Sequence, residues 1–148
     1  MSNLHPNIIF LVIDSFRADK FSGTQKSSKT PTIDQLVKDG TYFSHAVSSA
    51  DGTILSLNTL FTGLFSHETG NRAIKLSLQF PNFLHELQKN EYHIYGLTPN
   101  LSSFQPLIDL FENNFSTYEG DIPTDHLFDG VGSKLKKILD DKKDEPWF

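Results

Sequence analysis

Apolar positions along the chain fall into two kinds of run. Residues 8–13, Ile-Ile-Phe-Leu-Val-Ile, are continuously apolar rather than alternating, which predicts a central parallel strand buried on both faces. Asp14 follows at once, where ligands collect in open α/β sheets, beyond the carboxyl end of a strand. The Ser, Gly, Thr and Lys residues of 22–29 predict a loop, and Pro31 then opens a helix with Ile33, Leu36 and Val37 at helical spacing and Gly40 at its end. Residues 41–47 predict a short strand, and the polar turn 48–52 leads into a second helix over 54–61. A third helix carrying Leu84 and Leu87 is expected after Pro81, a second core strand over 92–97, a short helix at 107–111, a strand at 115–118 and an amphipathic helix over 127–139. Strands alternating with helices predict an α/β fold with a largely parallel sheet flanked by helices.

Composition refines this picture without changing it. The 148 residues suit one domain or part of a larger one, and 13 Phe with 4 Tyr supply enough apolar surface to fold. The closing Pro146-Trp147-Phe148 resembles the start of another buried strand, so residues 1–148 are expected to be an N-terminal region incomplete at its C-terminal end. A net charge of −5, with lysines clustered only near Lys134–Lys143 among acidic and apolar residues, argues against nucleic acid as a partner. Without cysteine, disulfides and thiolate metal sites are excluded. No leader-like segment and no run long enough to span a membrane is present, so a cytoplasmic location is expected, while the oligomeric state stays open.

Two residues carry candidate chemistry. Asp14 offers a hard carboxylate donor for a divalent cation, although an Asp after a strand can equally cap a turn. Thr53, after Asp51-Gly52 and before a helix, places a hydroxyl where backbone N–H groups favour an anion; its ordinary role would be an N-cap. A Thr hydroxyl attacks an ester only when a metal or base removes its proton. Six histidines (His5, His45, His67, His85, His93 and His126) show no spacing typical of a zinc site.

The ordered series Pro6-Asn7-Ile8-Ile9-Phe10-Leu11-Val12-Ile13-Asp14-Ser15, Thr30-Pro31-Thr32-Ile33-Asp34, Gly40-Thr41-Tyr42-Phe43-Ser44-His45-Ala46 and Leu60-Phe61-Thr62-Gly63-Leu64-Phe65-Ser66-His67-Glu68-Thr69-Gly70 resembles the sulfatase family of the alkaline phosphatase superfamily. The last segment is similar to the family's "TGLYPHxHG". In that family the nucleophile lies ten residues before the Gly of the "TG" pair, within Cys/Ser-x-Pro-x-Arg; counting back from Gly63 reaches Thr53. Here the motif reads Thr53-Ile54-Leu55-Ser56-Leu57, so no formylglycine is expected.

The resemblance implies the N-terminal part of an alkaline phosphatase-like fold and a metal-dependent hydrolase acting on a sulfate or phosphate ester. It implies Asp14 as a metal ligand for Ca, Mn or Zn, Thr53 as the nucleophile, and Ser56 and Asn100 as weaker candidates for binding substrate. The substrate would be a small-molecule, glycan or lipid anionic ester. A Thr at this place is similar to phosphodiesterases and phosphoglycerol-type transferases of the superfamily, which is one alternative. A catalytically inactive sulfatase-like binding domain is the other, since the Lys and His of the usual sulfate pocket are missing around residues 96–103. His67 matches the family segment, and Phe111-Glu112-Asn113-Asn114-Phe115 resembles its "GFD" region in a structural role.

Overall fold

The computed structural model describes residues 5–113, 131–141 and 145–148. Two compact units emerge, one comprising Met1–Phe10 with Ser49–Phe148 and the other Leu11–Ser48.

The larger unit is organised around α3, Thr53–Thr62. Ile54, Leu57, Asn58 and Phe61 recur at three- and four-residue spacing, so they share one face, and that face is buried. Leu76 and Leu78, on an extended segment, join Ile54, Leu57, Phe61, Leu84 and Leu107 in the core, with Phe83, Phe104, Leu110, Phe111 and Phe148 packed against them. Burying each such side chain stabilises the fold by roughly 1.5–3 kcal/mol. Polar groups fix the register of this packing. Asn58 is fully buried and its Oδ1 accepts from Ser77 N at 2.9 Å, while Leu76 N donates to Ser103 O at 2.9 Å.

α4, Ser66–Thr69, is a single turn between α3 and the core segment. α5, Phe83–Lys89, begins at Asn82, whose side chain accepts from His85 N at 3.1 Å and donates to Leu78 O and Phe80 O, each at 3.1 Å. One buried amide thus starts the helix and ties down the loop before it. A 3₁₀ turn, Ser102–Phe104, runs into α6, Gln105–Ile108. α7, Val131–Asp141, buries Ile138 and half-buries Leu139, leaving Lys136 and Lys137 exposed, as an amphipathic helix should.

The Leu11–Ser48 unit contains α1, Ala18–Phe21, and α2, Pro31–Asp39. None of its residues is buried. Polar contacts and ring stacking hold it instead. Ser27 N and Ser28 N both donate to Lys20 O, at 3.1 and 2.9 Å, and Phe21 stacks on Phe16 with ring centroids 4.8 Å apart.

The helices foreseen after Pro31, over 54–61 and after Pro81 all form, and 127–139 is met by α7 over the part that is described. The short helix expected at 107–111 forms earlier, as the 3₁₀ turn and α6. The strand expected at 115–118 lies outside the described residues.

The predicted α/β architecture with a largely parallel sheet is not what forms: the regular structure of the described residues is helical, and their strand pairing amounts to isolated bridges such as the parallel one between His93 and Trp147. Residues 41–47 form turns and coil rather than a strand. Residues 8–13 are the clearest case. Ile8 N donates to Trp147 O at 2.9 Å, but beyond it Ile9 and Leu11 are 64% and 74% exposed. A continuous apolar run becomes a central strand only where backbone partners flank it and other layers cover both faces. Among the described residues the backbone pairing near this run joins Ile8 N, residues 93–95, Glu112 N and residues 146–148, and the run forms no strand and is largely exposed.

Candidate functional site

Thr53 is the first residue of α3, preceded by Gly52 as N-cap, and it is exposed. The first-turn N–H groups of a helix lack intrahelical partners, and the aligned peptide dipoles favour negative charge there. The Thr53 hydroxyl therefore stands where an anionic group is stabilised. Ser56, one turn further on, is half-buried and donates its single hydroxyl hydrogen to Ala50 O at 3.0 Å; Ser56 N donates to Gly52 O at the same distance. Ser56 thus braces the loop that delivers Thr53.

The Thr-Gly pair at the other end of α3 has a local cause. Gly63 adopts φ +71°, the left-handed conformation that closes a helix, and its N–H donates to Thr59 O at 2.7 Å. The Thr62 hydroxyl donates to Asn58 O at 2.7 Å and accepts from Leu64 N at 3.2 Å. Phe65 N then donates to Glu68 Oε2 at 2.8 Å, starting α4, which ends at Gly70 with φ +66°. This family-like segment is a helix-stop and helix-start device. Its His67 is exposed and stacks on Phe65, with ring centroids 5.8 Å apart.

Asp14 belongs to the Leu11–Ser48 unit and is exposed in a turn, where Ser15 has φ +56°. Downstream, the Arg17 guanidinium makes a two-pronged hydrogen bond to Asp19, 2.9 Å on each arm, and holds the Asp19 carboxyl below the usual range. Asp34 is similarly lowered, first by the Lys26 hydrogen bond and also by Thr30 Oγ1, which donates to it at 3.1 Å.

Thr53 and Ser56 come together on one turn of α3. Asn100, in the same unit, is exposed in the turn after Pro99, where Leu101 N donates to Pro99 O at 2.9 Å. Asp14 is a hard oxygen donor of the kind that suits a divalent cation, but among the described residues no three or more His, Cys, Asp or Glu side chains group to hold one. It is one donor, not a complete site. Sequence spacing gave no sign of the Glu112–His93–Glu145 row described below, because its members come from three separate segments.

The ordered motif series is that of sulfatase-like hydrolases at family level, and a family comparison bears the resemblance out. The sequence model of the Sulfatase family matches residues 6–148, and the chain belongs to that family. No curated protein and no solved structure matches the chain. Among the described residues no helix is long and apolar enough to cross a membrane.

Proposed function

We propose that this chain carries the nucleophile and one metal ligand of a hydrolase that cleaves a sulfate or phosphate ester, with Thr53 as nucleophile and Asp14 as ligand. The observation that carries this reading is the position of Thr53 as the exposed first residue of α3. A hydroxyl there can approach sulfur or phosphorus while first-turn N–H groups stabilise the nonbridging oxygens. Attack forms an Oγ–P or Oγ–S bond as the substrate's bond to its alcohol oxygen breaks. The Thr53 hydroxyl proton leaves to solvent, the departing alkoxide takes one up, and water then cleaves the Thr53 ester to restore the hydroxyl and release the acid. A divalent ion, with Ca, Mn and Zn all chemically suitable, would find one hard oxygen donor in Asp14 and would supply charge compensation and acidify a hydroxyl that it bound. Thr53 in place of a Cys or Ser, without the following Pro and Arg, favours a Thr alkoxide attacking phosphorus, as in phosphodiester hydrolysis or phosphoglycerol-type transfer, over formylglycine chemistry.

The test is a panel of aryl sulfate, phosphate monoester and phosphodiester substrates, each with Ca, Mn or Zn. Activity that falls by about 10³-fold or more in Thr53→Ala supports the nucleophile. Activity retained in that variant refutes it. The missing Pro and Arg also favour a second reading, an inactive domain that binds an anionic ester. Saturable binding of a substrate analogue with no turnover under any metal would establish it.

A further inference from the structure

Glu112, His93 and Glu145 form a row across three chain segments. His93 Nδ1 lies 2.9 Å from Glu112 Oε2 and 3.0 Å from Oε1, and its Nε2 lies 3.0 Å from Glu145 Oε2. The carboxylates sit at opposite ring nitrogens, so they do not converge on one point as ligands of a shared cation would. A neutral imidazole has a single N–H and donates to one of them; an imidazolium donates to both. Tyr95 stacks beside the imidazole, with ring centroids 6.4 Å apart, and its hydroxyl reaches Glu112 Oε2 at 3.4 Å. Glu112, Glu145 and the Tyr95 hydroxyl are titratable groups that face His93.

The same residue anchors the backbone of the closing segment. His93 N donates to Pro146 O at 3.0 Å, Phe148 N donates to His93 O at 2.9 Å, and Tyr95 N donates to Phe148 O at 2.9 Å. Glu112 is tied in separately, its N–H donating to Ile94 O at 2.9 Å. Phe148, at the end of the held segment, packs on Phe10 and Phe83 with ring centroids 5.9 and 5.6 Å away. With Ile8, Phe83, Leu87 and Tyr92 it also walls an open cleft of about 390 Å³.

We propose that His93 is a proton-operated clasp. Protonated, it bridges Glu112 and Glu145 and holds residues 145–148 against residues 92–96. As pH rises through its titration the proton leaves to solvent, one carboxylate loses its donor, and the hold on the segment weakens. Glu145 is the one released, because its side chain is 66% exposed and Glu112 keeps the Tyr95 hydroxyl as a second partner. The proton thereby sets how firmly Phe148 closes its side of the cleft. Two facing carboxylates favour the imidazolium, so the held state is complete below the ordinary imidazole value of about 6.5 and is lost only as pH rises through the titration of the bridged imidazole itself.

Trp147 is the chain's one tryptophan and lies within the held segment, so its emission reports the clasp directly. The experiment follows His93 by NMR and Trp147 by fluorescence from pH 5 to 9 on the whole chain. The expected result is a His93 midpoint above the ordinary imidazole value, with Trp147 emission changing at the same midpoint. Glu145→Gln, a change at an exposed side chain, should lower both midpoints, and His93→Gln should abolish the emission change. Emission that stays flat while His93 titrates, or a His93 midpoint unmoved by Glu145→Gln, would overturn the proposal even if His93→Gln failed to fold.

Discussion

Asn113 grips the backbone of Gly96 at both of its polar groups: Nδ2 donates to Gly96 O, and Gly96 N donates to Oδ1, each at 2.8 Å. The Phe111 ring lies against the glycine so closely that an added methyl would overlap it. A side-chain amide that copies a strand neighbour, and a ring laid over the bare Cα, together hold residues 92–96 to the segment after α6. In the described part of the stretch that resembles the family's "GFD" region, Phe111 and Asn113 therefore act as a structural clamp. Gly96→Ala is expected to destabilise the fold by roughly 1–3 kcal/mol through overpacking against the ring. Asn113→Ala should cost a similar amount by leaving two half-buried backbone groups unpaired. Urea unfolding of the two variants checks both, and a Gly96→Ala protein as stable as the parent would refute the overlap.

The buried Asn58 places a second demand on the core. Its Oδ1 accepts from Ser77 N, while its Nδ2 is buried without a hydrogen-bond partner among the described residues. Asn58→Ala is expected to cost about 1–3 kcal/mol, because Ser77 N loses its acceptor. Asn58→Asp keeps an acceptor but buries a charge, so its loss should grow as pH rises through the carboxyl's titration. Unfolding curves at acid and neutral pH distinguish the two effects.

Gly63 closes α3 in the left-handed region, with its N–H donated to Thr59 O. Replacement by Ala should destabilise by roughly 1 kcal/mol, and Asn, which tolerates that conformation better, should cost less. An identical loss for both would mean that φ does not govern this position. Thermal unfolding of the pair provides the measurement.

Asp34 gives a pH signature with a clear sign. Its carboxyl is held below its ordinary value by the Lys26 hydrogen bond and, secondarily, by Thr30. A lowered folded-state pKa adds stability that is present above the unfolded value, near 3.9, and lost as pH falls through the folded one. The groups are exposed, so the effect is read on Asp34 itself. NMR titration is expected to show Asp34 protonating at lower pH than an unpaired aspartate, with Lys26→Gln moving it back upward.

What was legible in the sequence follows from how local each signal is. Pro31 and Gly40 bracket a helix whose hydrogen bonds all lie within the segment, and α3 and α5 are equally self-contained. The apolar run 8–13 predicts a buried strand that does not form, because burial of a strand depends on partners far along the chain, and among the described residues Ile8 N is the one backbone donor of the run that pairs with another segment. The brief α1 and α4 have too few residues to show a period, and α4 exists through the Phe65–Glu68 contact. Thr53 is reached by counting from Gly63, and in the structure it is the first residue of α3. His93 gave no signal, since Glu112 and Glu145 reach it only through the fold.

Thr53 and Ser56 share a turn but have different tasks, which makes them separable. Ser56 spends its hydrogen on Ala50 O, so Ser56→Ala should lower stability by about 0.5–1.5 kcal/mol and leave turnover within a few-fold of the parent. Thr53→Ser keeps a hydroxyl at the head of α3 and should retain activity to within about tenfold, whereas Thr53→Ala should lose it. These outcomes rest on the Thr53 nucleophile and on an assay substrate found from the ester panel. Parallel kinetics and unfolding on the three variants test them together. If Ser56→Ala abolished turnover in a fully folded protein while Thr53→Ala did not, the nucleophile would have to be reassigned within the same helical turn.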